Sequence, residues 1–452
     1  MRERFCSRDG PSNRTGCAVE PQIRLCTGRT PGWQRQDGRA RIVALMTLRA
    51  VWTALLGVLI SSNSAFAGTL EIRVQPKRVF QGQRYRLSLE GAGERVAGSL
   101  SSRVLWSATA GRLITARGAS VVWEAPRDVS TANVAVRVAE AGREAAASLS
   151  IEVLAASRES MVFVPAGPFV MGDTWTDTED PRYFPTDQNK HDRPFHWVDV
   201  DAFWIDRFKV TNRRSAAFLN EAKEEGLVRA NEFVVLGDFD GSTFPFYRFK
   251  NEQPPEQPVD VPVLEGELSM SGGRFVVKSG CEEHPIVDVT WAGAVAFARY
   301  YGKRLPTEAE WEKAGRGTDS RRYPWGDDVP TRFHANLNGY FDGPTPVGMF
   351  SPLGDSPYGV ADVLGGCHEW VQDWFNHDLF RDRGRDERTI RNPTGPDWGY
   401  DHAFRGRSRL DSVTGSHRER SPLSFRYSWD FEYSFIEGFA HAHTGFRTAL
   451  SP

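Results

Sequence analysis

Histidines gather near the end of the chain, where a short His-x-His sequence offers two imidazoles to a metal. His441 and His443 are two residues apart, and side chains at that spacing point the same way when the backbone is extended. His402 and His417 belong to the same region. Imidazole suits iron and copper, so the cluster predicts a transition-metal site. Histidines on a loop are more commonly exposed or hydrogen-bonded, and that alternative stays open.

Arginines are more frequent in this region than histidines. Their planar guanidinium groups could clamp an anionic ligand. The alternative is a solvated surface on which they pair with nearby aspartates and glutamates. The arginines concerned are Arg405, Arg407, Arg409, Arg418 and Arg420.

The bulk composition is that of an ordinary globular protein. The chain has 452 residues, of which 40% are hydrophobic and 25% are charged, and this length is enough for two or three domains. The formal net charge is only -2. We therefore expect neither a nucleic acid nor an anionic membrane surface as a partner.

Residues 46–67 have the layout of a secretory signal peptide. A basic start is followed by the apolar run Ala50 to Ile60 and by the small residues Ala65-Phe66-Ala67. The apolar run is too short to span a bilayer stably, so we expect no membrane anchor after cleavage. The sequence predicts a mature chain that begins at Gly68 and is periplasmic or secreted.

Residues 1–45 precede this signal and are rich in Arg, Gly and Pro. We interpret them as an artefact of the assigned start site or as a disordered extension. The mature chain then retains two of the five cysteines, Cys281 and Cys367. In an oxidising compartment they could form a disulfide, and the alternative is two buried free thiols.

Residues 68–155 alternate apolar and polar side chains in short runs that are separated by turn residues. This pattern predicts an antiparallel β-sandwich with Trp106 and Trp123 in its core. The stretch Val121-Val-Trp-Glu-Ala-Pro126 is similar to a strand of bacterial immunoglobulin-like domains. Such a domain is expected to be a spacer or docking module, joined to the rest by a linker at residues 156–160.

Three further motifs carry a family resemblance. The chain reads Arg-Leu-Pro-Thr-Glu-Ala-Glu-Trp-Glu at 304–312, Gly-Val-Ala-Asp-Val-Leu-Gly-Gly-Cys-His-Glu-Trp-Val-Gln-Asp-Trp at 359–374 and Gly-Phe-Arg at 445–447. Together they resemble the formylglycine-generating enzymes, also called sulfatase-modifying factors, over residues 161–450. The resemblance implies an irregular α+β fold related to C-type lectins. Residues 227–282 have the least pattern and are predicted to be a surface insertion.

Helix boundaries in this domain follow from its capping residues. We predict one helix from Thr211 to Gly226, with a polar N-cap and a terminating glycine. Another helix is expected to end near Gly302. Thr307 and Glu310 have the spacing of a capping box, so a third helix is predicted to begin there.

The resemblance also implies a calcium site. In the family, side-chain oxygens at the positions of Asp362 and Glu369 and carbonyls at the positions of Gly365 and Cys367 hold Ca²⁺. Hard oxygen ligands on a tight glycine-containing loop are what Ca²⁺ requires. The alternative is a loop in which Asp362 and Glu369 only cap backbone donors.

The family's oxidative chemistry is not inherited directly. Its members bind copper through two cysteines that follow a Gly-Gly-Ser segment, which Arg405-Gly-Arg-Ser408 resembles. The two cysteine positions read Asp411 and Ser416 in this chain, and a carboxylate with a hydroxyl does not select Cu(I). Asp411 with two imidazoles would instead be an iron(II) ligand set. The candidate catalytic residues are therefore Ser408, Asp411, His441 and His443.

Two functions follow as expectations. One is an exported, divergent oxidoreductase or maturation factor that acts on a peptide or small-molecule substrate and does not generate formylglycine. This protein would be a metal-dependent oxidase and would need iron or copper in the C-terminal region. The other is a non-catalytic binding or assembly module of the periplasm that recognises a protein partner.

Overall fold

The computed structural model describes residues 70–91, 103–114, 118–128, 130–140, 143–172, 194–231, 234–239, 242–248, 267–337, 339–376, 379–384, 388–397, 399, 402–406 and 443–452. The predicted signal peptide lies outside these residues, and so do Ser408, Asp411 and His441. Within the described ranges, no helix combines the length and the apolar character needed to cross a membrane.

Two four-stranded sheets form a β-sandwich at the start of the described chain, as the alternating pattern predicts. One sheet has the order β1-β3-β6-β5 and the other has the order β2-β8-β7-β4. Trp106 and Trp123 are both buried in the core between them, which confirms their predicted position. The strands are β1 (Leu70–Gln75), β2 (Val79–Phe80), β3 (Arg84–Gly91), β4 (Arg103–Ala108), β5 (Arg112–Leu113), β6 (Ser120–Glu124), β7 (Thr131–Glu140) and β8 (Arg143–Leu154).

In an immunoglobulin-type domain, a sheet of strands A, B, E and D faces a sheet of strands C, F and G. The sandwich has the same order if β1, β3, β6 and β5 are strands A, B, E and D, and β4, β7 and β8 are strands C, F and G. This order favours the immunoglobulin-like assignment, which stays a prediction. β8 ends at Leu154 and the next strand begins at Met161, so the predicted linker carries no strand.

Over its described residues, the second domain is an α+β fold of short strands and four helices, as expected. Its sheets have the orders β10-β11-β19, β22-β12-β9, β13-β14-β15, β16-β17 and β20-β18-β21. The elements are β9 (Met161–Val164), β10 (Gly167–Met171), β11 (His196–Val200), β12 (Phe203–Asp206), α1 (Asn212–Glu224), β13 (Val228–Ala230), β14 (Val234–Phe239), β15 (Ser242–Arg248), β16 (Leu268–Ser271), β17 (Arg274–Val277), α2 (Trp291–Tyr300), α3 (Glu308–Arg316), β18 (His368–Trp374), α4 (Leu379–Gly384), β19 (Ile390–Arg391), β20 (His402–Arg405), β21 (Thr444–Phe446) and β22 (Ala449–Leu450).

Threonine caps start the three longer helices. The Thr211 side chain accepts from the Arg214 amide at the start of α1. The Thr290 side chain accepts from the Gly293 amide at the start of α2. At α3, Thr307 and Glu310 bond each other's backbone amides in a capping box. These contacts confirm the predicted helix starts at Thr211 and Thr307.

The segment 227–282 is not the surface insertion that its irregular sequence suggested. Its described strands contribute buried apolar side chains to the core around α1 and α2, including Val235, Phe246 and Phe275. Gly293 in α2 lies so close to this segment that an added Cβ would be 2.2 Å from the Phe246 carbonyl oxygen. The prediction was wrong because short strands with few alternations give a weak sequence signal.

β18 is the strand that joins the two cores of the second domain. It pairs antiparallel with β20 and parallel with β21. Trp370 points into the core formed by α1 and α2, and its neighbour Val371 points into the core formed by α3 and β9 to β12. Because both faces are buried, a charged residue on β18 must find its partners inside the protein.

Candidate functional site

A glycine-containing loop leads into β18 and carries the predicted calcium ligands. Asp362, Gly365 and Gly366 all have positive φ, at 53°, 86° and 74°. A Cβ on Gly365 would lie 2.5 Å from the Asn336 carbonyl oxygen, so only glycine fits this close approach. The same carbonyl accepts a hydrogen bond from the Gly366 amide at 2.9 Å. The loop is therefore held tightly against the segment that contains Asn336.

Glu369 lies at the centre of this site and is paired with two cations. Lys209 Nζ is 2.6 Å from Glu369 Oε1, and Arg447 Nε is 2.6 Å from Oε2. All three side chains are at most 1% exposed. Burial alone would raise the pKa of Glu369, but the attraction of Arg447 and Lys209 outweighs it and holds the pKa at about 2. Glu369 is therefore ionised and fully neutralised.

The remaining predicted ligands are also engaged. The Cys367 carbonyl accepts from Lys209 Nζ at 2.9 Å, and Asp362 Oδ2 accepts from the Gly348 amide at 2.5 Å. Burial raises the pKa of Asp362. The Gly365 carbonyl accepts from the Cys367 amide at 2.9 Å. Lys209 thus bonds two of the four predicted ligands directly, the Cys367 carbonyl and Glu369. In this arrangement the donor set does not fit Ca²⁺, since a divalent ion would have to displace a buried ammonium from its carboxylate.

A second buried ion cluster fixes the segment that resembles the family's Gly-Gly-Ser. Arg405 at the end of β20 pairs with Glu308 and Glu312 on α3, and all three side chains are at most 1% exposed. Arg316 pairs with Glu312 as well, at 3.3 Å. The predicted anion clamp therefore does not include Arg405, because its guanidinium already has two buried carboxylates. The other four arginines of that prediction lie outside the described residues.

His402 on β20 is stacked between two indole rings. Its ring centroid is 3.6 Å from that of Trp291 and 3.7 Å from that of Trp374. Burial lowers its pKa to about 3, so the imidazole is neutral at physiological pH. His402 thus acts as part of an aromatic stack beside β18.

His443 is the one candidate catalytic residue that the structure describes. Its φ is 75°, and β21 begins one residue later at Thr444. The backbone at His443 is therefore not the extended strand that the His-x-His argument assumed. Its carbonyl accepts from the His368 amide at 2.9 Å, which ties it to the start of β18. Ser408, Asp411 and His441 lie outside the described residues, so their convergence with His443 stays a prediction.

Sequence reasoning missed the buried ion clusters themselves. Glu308 and Glu312 are four residues apart on a helix, a spacing that places both carboxylates on one face. That spacing was visible in the Arg304–Glu312 motif and predicts a shared cationic partner. No comparable local signal connects Lys209 with Glu369, because 160 residues separate them.

The comparison with protein families gives a match over most of the chain. The model of the sulfatase-modifying factor enzyme 1-like domain matches residues 149–452. The chain belongs to this family. The match covers the whole second domain, and the resemblance first seen in its motifs is confirmed.

Members of the sulfatase-modifying factor family with curated names are similar along much of this domain. The formylglycine-generating enzyme of Thermomonospora curvata is 32% identical over 315 residues, which are 65% of this chain and 94% of the relative. The hercynine oxygenase of Mycobacterium tuberculosis is 35% identical over 190 residues, 40% of each chain. The crystal structure of CarF aligns with 65% of this chain and 98% of its own chain. The TM-score is 0.38 and the sequence identity is 17%.

Proposed function

We propose that this chain is an exported, divergent oxidoreductase or maturation factor that acts on a peptide or small-molecule substrate and does not generate formylglycine. One observation carries the proposal. The chain aligns with 94% of the length of a formylglycine-generating enzyme at 32% identity. It nevertheless reads Asp411 and Ser416 where the resemblance places the copper-binding cysteines. The relative named as an oxygenase supports an oxidative role in this branch of the family.

The two cysteines of the second domain do not replace the missing pair. Cys281 and Cys367 are unpaired, and Cys367 is fully buried. Burial raises the pKa of the Cys367 thiol to about 11. Copper binding and oxygen activation need accessible thiolates, so neither the burial nor the protonation of Cys367 suits that role.

Both ends of the segment that holds the candidate catalytic residues are anchored by buried charge. Arg405 precedes Ser408 and is fixed by Glu308 and Glu312. Arg447 follows His443 and is fixed by Glu369. These two anchors fix where the segment starts and where it ends, and a precise site needs such support from rigid elements.

Within this proposal, Asp411, His441 and His443 would hold iron or copper, and Ser408 belongs to the same candidate set. Such an ion would supply the one-electron chemistry that dioxygen requires. The chain's own side chains would bind the substrate and keep water out. The predicted signal peptide supports a location in the periplasm or outside the cell.

Metal analysis tests the proposal. Iron and copper are measured in the purified mature protein and in His441→Ala and His443→Ala, with His334→Ala as a histidine control outside this region. We expect near-stoichiometric metal in the wild type and in His334→Ala and a loss of metal in the other two variants. Little metal in all four proteins would contradict the proposal.

A non-catalytic binding or assembly module is the second candidate. It is favoured by the use of the described motif residues, since Glu308, Glu312, Arg405 and Glu369 all serve buried ion pairs. Those pairs stabilise the fold, and their side chains are at most 1% exposed. Absence of iron and copper together with capture of a defined periplasmic protein would make this module the better account.

A further inference from the structure

Three side chains of metal-binding type meet beside the start of α1. They are Glu267, Cys281 and His284, whose ligand atoms all lie within 4.8 Å of one another. His284 Nδ1 is 2.9 Å from Glu267 Oε1 and 3.1 Å from Oε2. The side chains of His284 and Glu267 are 14% and 18% exposed, so the cluster is accessible from solvent.

The local backbone presents Cys281 and His284 on the same side. The Cys281 amide bonds the Lys278 carbonyl at 3.0 Å, and the His284 amide bonds the Cys281 carbonyl at 3.2 Å. These successive turns bring the thiol and the imidazole of the Cys-x-x-His sequence close together. Glu267 approaches them from the segment just before β16.

Asn212 holds the cluster in place from the first residue of α1. Its side-chain Nδ2 donates to Glu267 Oε2 at 2.7 Å and to the Cys281 carbonyl at 2.9 Å. Its backbone amide donates to the His284 carbonyl at 2.9 Å. Asn212 is 2% exposed. A buried amide that orients a ligand carboxylate and the ligand loop together is the support that metal sites use.

We propose that Glu267, Cys281 and His284 bind a Zn²⁺ ion, with the fourth position open to water. Zinc takes sulfur, nitrogen and oxygen ligands at about 2.0–2.3 Å, and three protein ligands with one open position are a recognised set. Ligands arranged tetrahedrally at those bond lengths are about 3.3–3.8 Å apart. The ligand atoms of Glu267, Cys281 and His284 already lie within 4.8 Å of one another, so small side-chain adjustments would bring them to those separations.

This site is independent of the proposed oxidative function, because none of its residues belongs to the candidate catalytic set. Zinc has no redox chemistry, so it would not serve as the oxidase metal. It would join Cys281 and His284 of the turn at 278–284 to Glu267, the residue before β16.

Cobalt substitution tests the site in the mature protein, whose cysteines are Cys281 and Cys367. After removal of bound metal, the protein is titrated with Co²⁺, and near-ultraviolet thiolate-to-cobalt absorption and visible bands of tetrahedral cobalt are recorded. Zn²⁺ is then added as the competitor. We expect one equivalent of Co²⁺ to produce both signals, Zn²⁺ to remove them, and Zn²⁺ to raise the Tm of the metal-free protein.

Variants identify the ligands. Cys281→Ser is expected to lose the thiolate band, and His284→Gln to weaken Co²⁺ binding at least tenfold. Cys367→Ala is the matched control, since it removes the other cysteine of this domain and is expected to retain the band. If a variant does not fold, the wild-type titration still decides. A wild-type protein without stoichiometric cobalt binding, or a band that survives in Cys281→Ser, would overturn the proposal.

Discussion

The buried Lys209 ammonium can be removed with little change in side-chain length by Lys209→Met. In the wild type, Lys209 donates to Glu369 Oε1 at 2.6 Å and to the Cys367 carbonyl at 2.9 Å, and it is 1% exposed. In the variant, Arg447 is the one charged partner that Glu369 keeps among the described residues. The Cys367 carbonyl also loses the donor that Lys209 provides.

The expected cost follows from burial. Removing one partner of a buried ion pair destabilises a protein by about 3–5 kcal/mol. Arg447 remains bonded to Glu369 through Nε at 2.6 Å and through a second nitrogen at 2.9 Å, so we expect the lower end of that range. The pKa of Glu369, lowered from 4.5 to about 2, corresponds to roughly 3 kcal/mol of preference for the ionised form, shared by the two cations.

The sign of the pH dependence follows from the same shift. A carboxyl whose pKa is depressed on folding stabilises the fold at pH values above its unfolded pKa, and this contribution is lost as the pH falls towards the folded pKa. For Glu369 this window extends from about 4.5 down to about 2. The wild type should therefore lose its advantage over Lys209→Met as the pH is lowered through that window.

Chemical denaturation followed by tryptophan fluorescence measures the difference at neutral and acid pH. Arg213→Ala is the control, because Arg213 forms an exposed pair with Glu283 and such pairs contribute about 0–1 kcal/mol. A Lys209→Met variant that unfolds within about 1 kcal/mol of the wild type would refute the argument from a buried charge cluster. An equal deficit at every pH would refute its electrostatic cause.

The same proteins test the calcium prediction. Since Lys209 and Arg447 already neutralise Glu369, we expect the wild-type Tm to be the same with Ca²⁺ and with a chelator. In Lys209→Met, Glu369 Oε1 and the Cys367 carbonyl become available, and Ca²⁺ is expected to raise the Tm. A calcium-dependent wild-type Tm would contradict this expectation and would favour the ligand set Asp362, Gly365, Cys367 and Glu369 that the family resemblance implies.

Three further outcomes are expected. Glu312→Gln leaves Arg405 and Arg316 without a shared charge, and urea denaturation should show a loss of about 3 kcal/mol or more; a loss under 1 kcal/mol would contradict this. Thr307→Ala removes the side-chain half of the α3 capping box and should cost about 1 kcal/mol, whereas an unchanged midpoint would show that the cap is dispensable. N-terminal sequencing of exported protein should read from Gly68, and a retained Met46 would exclude the predicted signal peptide.

Local sequence signals predicted the regular elements well. The alternating runs of residues 68–155 predicted the sandwich, and the threonine caps predicted the starts of α1 and α3. These signals succeed because a strand or a helix start depends on neighbouring residues. The family motifs also predicted the overall class of the second domain.

The contacts between distant parts of the chain could not be predicted in the same way. Lys209 and Glu369 are 160 residues apart, and Asn212 reaches Glu267 across 55 residues. Which residues meet at such separations depends on how the short sheets pack, and that information is spread over the whole domain. The placement of 227–282 in the core was missed for the same reason.

The central claim is that this family member has lost the copper-thiolate chemistry of formylglycine generation. The direct test incubates the mature protein with a sulfatase-type cysteine peptide, copper, reductant and oxygen, and follows the peptide by mass spectrometry. The enzyme from Thermomonospora curvata is the positive control. We predict an unchanged cysteine with this protein, because its thiolate positions read Asp411 and Ser416. Conversion of the cysteine to formylglycine would contradict the claim.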